Sequence, residues 1–259
     1  MTPDEVKKWL DWADIIHYHN RYRRQNIFQK NMLTPPKKPS VIQIHSPRES
    51  ENFKEELESG IPIAVIAQYH VRQWPELRFI IPNVIDIHDE LHKPVIRDFR
   101  TTPIVSYAPS NAICKGWDNK SYGTVSPVLR RMGFAREIIY QRIISMPLTA
   151  CLALKQNADI GIDEVSTGSY HLSSLEYLSM GVACIGKLDE QCEKVIKDLT
   201  GADTLPWVMS SEAKFKGDLS ELIRSRRYVE KGLESRAWME KYWNPEDVCS
   251  VFTDMYGRL

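Results

Sequence analysis

A chain of 259 residues with 42% hydrophobic and 26% charged residues can bury one large core or two modest ones, and is too apolar to be disordered by default. Lys+Arg and Asp+Glu both number 34, so no net charge draws the chain to nucleic acid or an anionic membrane, although a local basic patch could. The five cysteines (Cys114, Cys151, Cys184, Cys192, Cys249) form no CxxC pair, which argues against zinc and fits buried thiols in a reducing compartment.

The start, Met1–Trp12, is too polar and acidic for a signal peptide, and no stretch approaches the ~18–20 apolar residues of a membrane span. A cytoplasmic protein is expected, at most peripheral to a membrane. Short β-rich runs then alternate with amphipathic segments. Strands are predicted at Asp14–His19, Ser40–His45 and Ile61–Tyr69, with surface helices over Arg21–Met32 and Arg48–Ser59 between them. A connector begins at Ile81-Pro82-Asn83 and runs through the charged stretch to Pro94. The rhythm resumes with strands at Pro103–Ala108, Glu137–Ile144, Asp159–Val165 and Val182–Ile185. Helices are predicted at Tyr122–Met132, Pro147–Asn157, His171–Met180 and Glu190–Leu199. Nearly continuous apolar strands separated by helices imply parallel sheets covered on both faces. The tail from Ser210 reads as helical, and Asn244-Pro245-Glu246-Asp247 has the form of a helix start.

The fold expected is α/β, with two Rossmann-like, doubly wound parallel-sheet domains and a helical C-terminus. Residues 1–90 are expected to form the first domain and residues 91–240 the second. Residues 241–259 form a terminal helix packing back toward the first domain. Ligands of open α/β sheets bind at the carboxyl ends of the strands, so polar loops there carry the interest. One is SYAPSNAICKGWDNK (Ser106–Lys120), where Lys115 beside a tight turn offers a cation to a diphosphate; an ordinary surface lysine is the plainer reading. It is not a Walker loop. Another is DEVSTGSYHLSSLE (Asp163–Glu176), whose small residues let a ligand approach the backbone ahead of a helix N-terminus. Glu176 could accept hydrogen bonds from a ribose diol or be a partly buried helix residue. A third group is His17 and His19 on one face of the first strand, with His45 ending the second. No acidic cluster completes a metal site there.

The stretch ADIGIDEVSTGSYHLSSLEYLSMGVACIG (Ala158–Gly186) resembles the signature region of retaining GT-B glycosyltransferases of the family 4 type, the group 1 glycosyl transferases. SYAPSNAICKG resembles that family's Lys-Gly loop. ADIIHYHN (Ala13–Asn20), VIQIHS (Val41–Ser46) and IIPNVID (Ile80–Asp86) resemble its strand ends and interdomain linker in consistent order. The resemblance implies transfer from a UDP- or GDP-linked sugar, retaining and without metal or other cofactor. Ser110, Asn111, Lys115 and Gly116 would hold the diphosphate, and Gly168, Ser169, Tyr170, His171 and Leu172 would line the donor, offering main-chain N–H groups to the phosphates. Glu176 would hold the ribose. His45 would be the catalytic residue, acting by position on the donor sugar, with His17 and His19 on the acceptor side. Two departures stand out: Gly168 replaces a glutamate that contacts the sugar in that family, and Asn111 and Ala112 occupy the neighbourhood of its arginine. The acceptor is open among a glycan, a lipid-linked sugar, a protein and a modified DNA base. By the standard of that family the first domain is abbreviated, which predicts a homo-oligomer formed through it. A nucleotide-sugar-binding protein without transfer activity, or one dependent on a partner, is the alternative. A Rossmann dehydrogenase is discounted, because no GxGxxG follows a strand.

Overall fold

The computed structural model describes residues 2–20, 37–45, 53–74, 77–96, 100–109 and 120–259. The predicted helix over 21–32 and the first part of that over 48–59 lie outside them. The chain divides into two compact units, Met1–Asn83 with Val248–Leu259, and Val84–Asp247.

The first unit opens with helix α1 (Pro3–Trp12). Its N-terminus closes as a capping box: Glu5 N donates to Thr2 Oγ1 (3.3 Å), and Thr2 N donates to Glu5 Oε2 (2.7 Å). At the other end Lys38 Nζ donates to the carbonyls of Leu10, Asp11 and Ala13 at 2.7, 2.9 and 2.6 Å, satisfying acceptors the helix leaves open. Strands β1 (Ile16–His19) and β2 (Ser40–Ile44), the short helix α2 (Lys54–Glu58), and strands β3 (Ile63–Ile66) and β4 (Phe79–Ile81) follow. The four strands are parallel and lie in chain order. Two expectations change here. The third strand stops at Ile66, and Tyr69–Arg72 turns as a 3-10 helix. Ile80 and Ile81, read as linker, belong to a fourth strand paired with β3.

Both faces of this sheet are covered, as a parallel sheet requires. Tyr18, Ile42, Ile44, Ile63 and Val65 pack with Phe53 and Trp74 on one face. On the other, Val41, Ala64, Phe79 and Ile81 meet Met255, with Val251, Phe252 and Tyr256 against them. The end of the chain therefore completes the core of its beginning. The terminal helix, Pro245–Tyr256, starts at Asn244, whose Oδ1 accepts from Asp247 N at 2.9 Å.

The second unit alternates β5 (Ile104–Tyr107), α3 (Tyr122–Phe134), β6 (Ile139–Arg142), α4 (Leu148–Gln156), β7 (Ile160–Ile162), α5 (Leu172–Ser179), β8 (Ala183–Gly186), α6 (Glu190–Thr200) and β9 (Val208–Met209). Helices α7 (Phe215–Arg224) and α8 (Tyr228–Tyr242) follow. The strands are all parallel in the order β6-β5-β7-β8-β9, so the winding direction reverses between β5 and β7. At that reversal two consecutive crossovers leave on opposite faces and open a crevice at the carboxyl ends of the strands. Gly161 in β7 brings α5 close to the sheet: a Cβ there would lie 2.4 Å from the Tyr177 ring. The Tyr177 hydroxyl reaches across to Ser106 Oγ at 3.0 Å. The two-residue strand β9 escapes prediction because it has no length over which a pattern can form. Among the described residues no helix is long and apolar enough to cross a membrane.

Candidate functional site

The switch point of the second sheet brings together the ends of β5 and β7. The loop after β5 lies outside the described residues from 110 to 119, and with it Ser110, Asn111, Lys115 and Gly116. Its last residue, Lys120, is described and buried. The Tyr107 hydroxyl donates to the Lys120 carbonyl at 2.6 Å, while Lys120 Nζ donates to the Ala108 carbonyl at 3.3 Å and lies 3.8 Å from Asp163 Oδ1. Burial lowers the pKa of this ammonium, and the Asp163 carboxylate partly offsets it.

Asp163 immediately follows β7 and is 1% exposed. Its Oδ2 accepts from the main-chain N–H of His171 at 2.8 Å, and its Oδ1 lies 3.2 Å from His171 Nδ1. Burial alone would raise its pKa. The His171 imidazole and its hydrogen bonds, together with the Lys120 ammonium, outweigh burial and hold it at about 2. Asp163 is therefore an anion at every physiological pH, fixed between two cation-capable groups.

The next residue, Glu164, is fully buried and turns into the loop that follows it. Its Oε2 accepts from the N–H groups of Ser166 (2.8 Å) and Thr167 (2.7 Å), and its Oε1 from those of Gly168 (3.1 Å) and Ser169 (3.3 Å). The Ser121 hydroxyl approaches Oε2 at 3.4 Å. Gly168 sits at φ +79°, a left-handed conformation that glycine adopts without strain, and this directs two consecutive N–H groups at one oxygen. The lone pairs of the Glu164 carboxylate are thus engaged within its own loop.

The remaining loop residues divide. The Tyr170 ring is buried against Trp207 and Trp243 and belongs to the aromatic core. His171 caps α5, and Leu172 is exposed. Glu176 lies in α5 paired with Lys155 of α4, whose Nζ also donates to Ser173 Oγ at 2.7 Å and lies 5.0 Å from the centre of the Tyr177 ring. The Lys155 side chain is 3% exposed, so this is an internal ion pair. Sequence reasoning missed Lys155, Lys120 and the internal use of Asp163 and Glu164. Lys155 did leave a signal: it interrupts an otherwise apolar helix face with Cys151 and Leu152 one turn earlier.

In the first unit the three histidines do meet. His17 and His19 stack with ring centroids 4.7 Å apart, and His19 stacks on His45 at 5.1 Å. His19 Nδ1 and His45 Nε2 are 2.8 Å apart, and so are His17 Nδ1 and the Tyr256 hydroxyl of the terminal helix. Asn20 Oδ1 accepts from the His45 main-chain N–H at 2.6 Å, pinning the end of β2. Burial, then the neighbouring imidazoles, lower the pKa of His17 to about 4, with Gln43 pulling the other way. Burial and then His19 lower that of His45 to about 4. These rings share hydrogen bonds instead of pointing at a common centre. Among the described residues no three His, Cys, Asp or Glu side chains converge so as to hold a metal ion.

No family model and no curated protein matches the sequence. Solved structures match in shape. A point mutant of S. aureus TarM, in complex with fondaparinux, alpha-GlcNAc-glycerol and UDP, is similar over 88% of this chain and 53% of its own, with TM-score 0.60 and 12% identity. A glycosyltransferase from Rickettsia africae gives TM-score 0.60 at 11% identity over 99% of this chain and 79% of its own. The GtfA/B complex gives TM-score 0.57 at 12% identity over 99% and 60%. This chain thus spans between half and three fifths of the TarM and GtfA/B chains it matches. Its architecture is the GT-B fold, two parallel α/β sheets with a helical C-terminus.

Proposed function

We propose that the chain is a glycosyltransferase that moves a sugar from a nucleotide-diphosphate donor, bound at the β5–β7 switch point, to an acceptor. The observation that carries this reading is the buried constellation at that point, Lys120, Asp163 and His171, in a fold shared with glycosyltransferases. Burying three ionisable groups costs stability, and such groups concentrate where a site needs them. In this reading catalysis is electrostatic: Lys115 and Lys120 stabilise the negative charge of the departing diphosphate, without a metal and with retention. His45 is the proposed catalytic residue, a neutral imidazole near pH 7 that acts on the sugar by hydrogen bonding and position. UDP is a donor base to try first, since the TarM complex contains it.

A second reading, a nucleotide-sugar-binding protein without turnover, is favoured by one observation: Lys155 already occupies Glu176, the group assigned to the ribose. The two part in one assay. Wild-type protein is incubated with UDP- and GDP-sugars, transfer and hydrolysis are followed, and binding is measured by calorimetry. Transferase activity lost in Lys115→Ala and His45→Ala supports the first reading. Binding without turnover, unchanged in Lys115→Ala, sinks it.

A further inference from the structure

The main-chain donors of the loop after β7 are arranged as an anion cradle. Four successive N–H groups, from Ser166 to Ser169, converge on two oxygens of one group, the geometry by which loop backbones bind phosphate or carboxylate. The group they bind belongs to the chain: the carboxylate of Glu164, two residues before the first donor. A fifth N–H, from His171, is taken by Asp163 in the same manner. We infer that Glu164 is a specificity-determining residue that fills this cradle in cis, so that an anionic ligand, the diphosphate of the proposed donor included, is kept off the loop backbone.

Three features support a built occupant. Glu164 is fully buried, and a buried carboxylate is tolerated only when its oxygens are satisfied, which here takes all four donors. Gly168 adopts the left-handed conformation that aims the third and fourth donors at Oε1. Ser121, itself left-handed at φ +62°, fastens the loop from outside: its hydroxyl accepts from Val165 N at 2.9 Å and lies 2.5 Å from Ser166 Oγ. A phosphate entering the cradle would have to displace a carboxylate that cannot diffuse away, and would meet its charge at contact distance. The ligand's phosphates must then be held by groups other than the main chain of this loop.

The inference uses the proposed function only in taking the ligand to carry phosphates, and its test does not depend on that. Glu164→Ala empties the cradle and leaves four main-chain donors, two of them buried, without an acceptor. Its melting temperature should fall, and added sodium acetate or inorganic phosphate should raise it in a saturable way, while wild type responds to neither. UDP should bind Glu164→Ala about tenfold or more tightly than wild type. Identical anion responses in the two proteins, or no gain in UDP affinity when wild type binds UDP, would overturn the inference. If UDP binds neither protein but acetate still rescues the variant, the cradle stands and the nucleotide-sugar reading fails. Should Glu164→Ala not fold, hydrogen exchange of wild type with and without UDP decides: protection at residues 166–169 should not change, and slowed exchange there means the phosphates use the loop.

Discussion

Each of the two units holds a cluster of polar groups beside its sheet, and the two handle them in opposite ways. The second unit uses charge: Asp163, Lys120, Lys155 and Glu176 are buried and each has an oppositely charged neighbour. The first unit uses aromatic rings, with three histidines stacked on one another and His17 edge-on to Tyr256. A buried ion pair punishes removal of one partner, because the other is left charged and dry. A hydrogen-bonded stack loses only a contact when one member goes, yet becomes vulnerable as soon as a proton adds charge to a buried ring such as His17 or His45. The second unit should therefore be sensitive to mutation and insensitive to mild acid, and the first the reverse.

The largest effect that contrast predicts is at the internal ion pair. Lys155→Met should cost about 3–5 kcal/mol in urea unfolding, since Glu176 is left in the interior without its partner. The double variant Lys155→Met/Glu176→Gln should recover much of the loss. A single variant no less stable than wild type would break the comparison.

Acid comes next. His17 and His45 have folded pKa values near 4 against an ordinary 6.5, so the unfolded chain binds protons first. Their stabilising contribution is complete above pH 6.5 and is lost as pH falls toward 4. Asp163, held at about 2 against 3.8, contributes fully above pH 3.8 and is lost only as pH falls through about 2. Hydrogen exchange across pH 7 to 4 should show β1 and β2 losing protection while β5 and β7 keep theirs. In His17→Asn/His45→Asn that selective loss should disappear.

The same contrast explains what the amino-acid order discloses. Strand alternation alone puts His17 and His19 on one face, and the apolar runs locate β1, β2, β5, β7 and β8 to within a few residues. The start of the terminal helix is equally local, because Asn244 and Pro245 act within one turn. What escaped depends on distance or on brevity. Strand β4 has three residues and is followed by Pro82, so it reads as linker until β3 pairs with it. The pairing of Lys155 with Glu176 joins two helices across a strand and a loop, and no spacing announces it. Glu164 is an intermediate case: its partners lie two to five residues on, but they converge only because Gly168 adopts a positive φ. The loop after β7 could thus be picked out by position, while the occupants of its hydrogen-bonding groups could not.

The smallest effect falls on Tyr256→Phe, and it isolates what sets the histidine pKa values. The variant removes the 2.8 Å contact to His17 Nδ1 and leaves the ring in the packing around Phe79 and Ile81. One such hydrogen bond contributes about 0.5–1.5 kcal/mol, so unfolding by urea should shift by no more than that. The acid response should survive nearly intact, because burial comes first and the neighbouring imidazoles second in lowering the His17 pKa, and neither involves the Tyr256 hydroxyl. If Tyr256→Phe instead abolished the loss of β1 protection between pH 6.5 and 4, the hydroxyl would be the group that keeps His17 neutral. The first unit's sensitivity to acid would then reside in one hydrogen bond from the end of the chain and not in the stacked histidines.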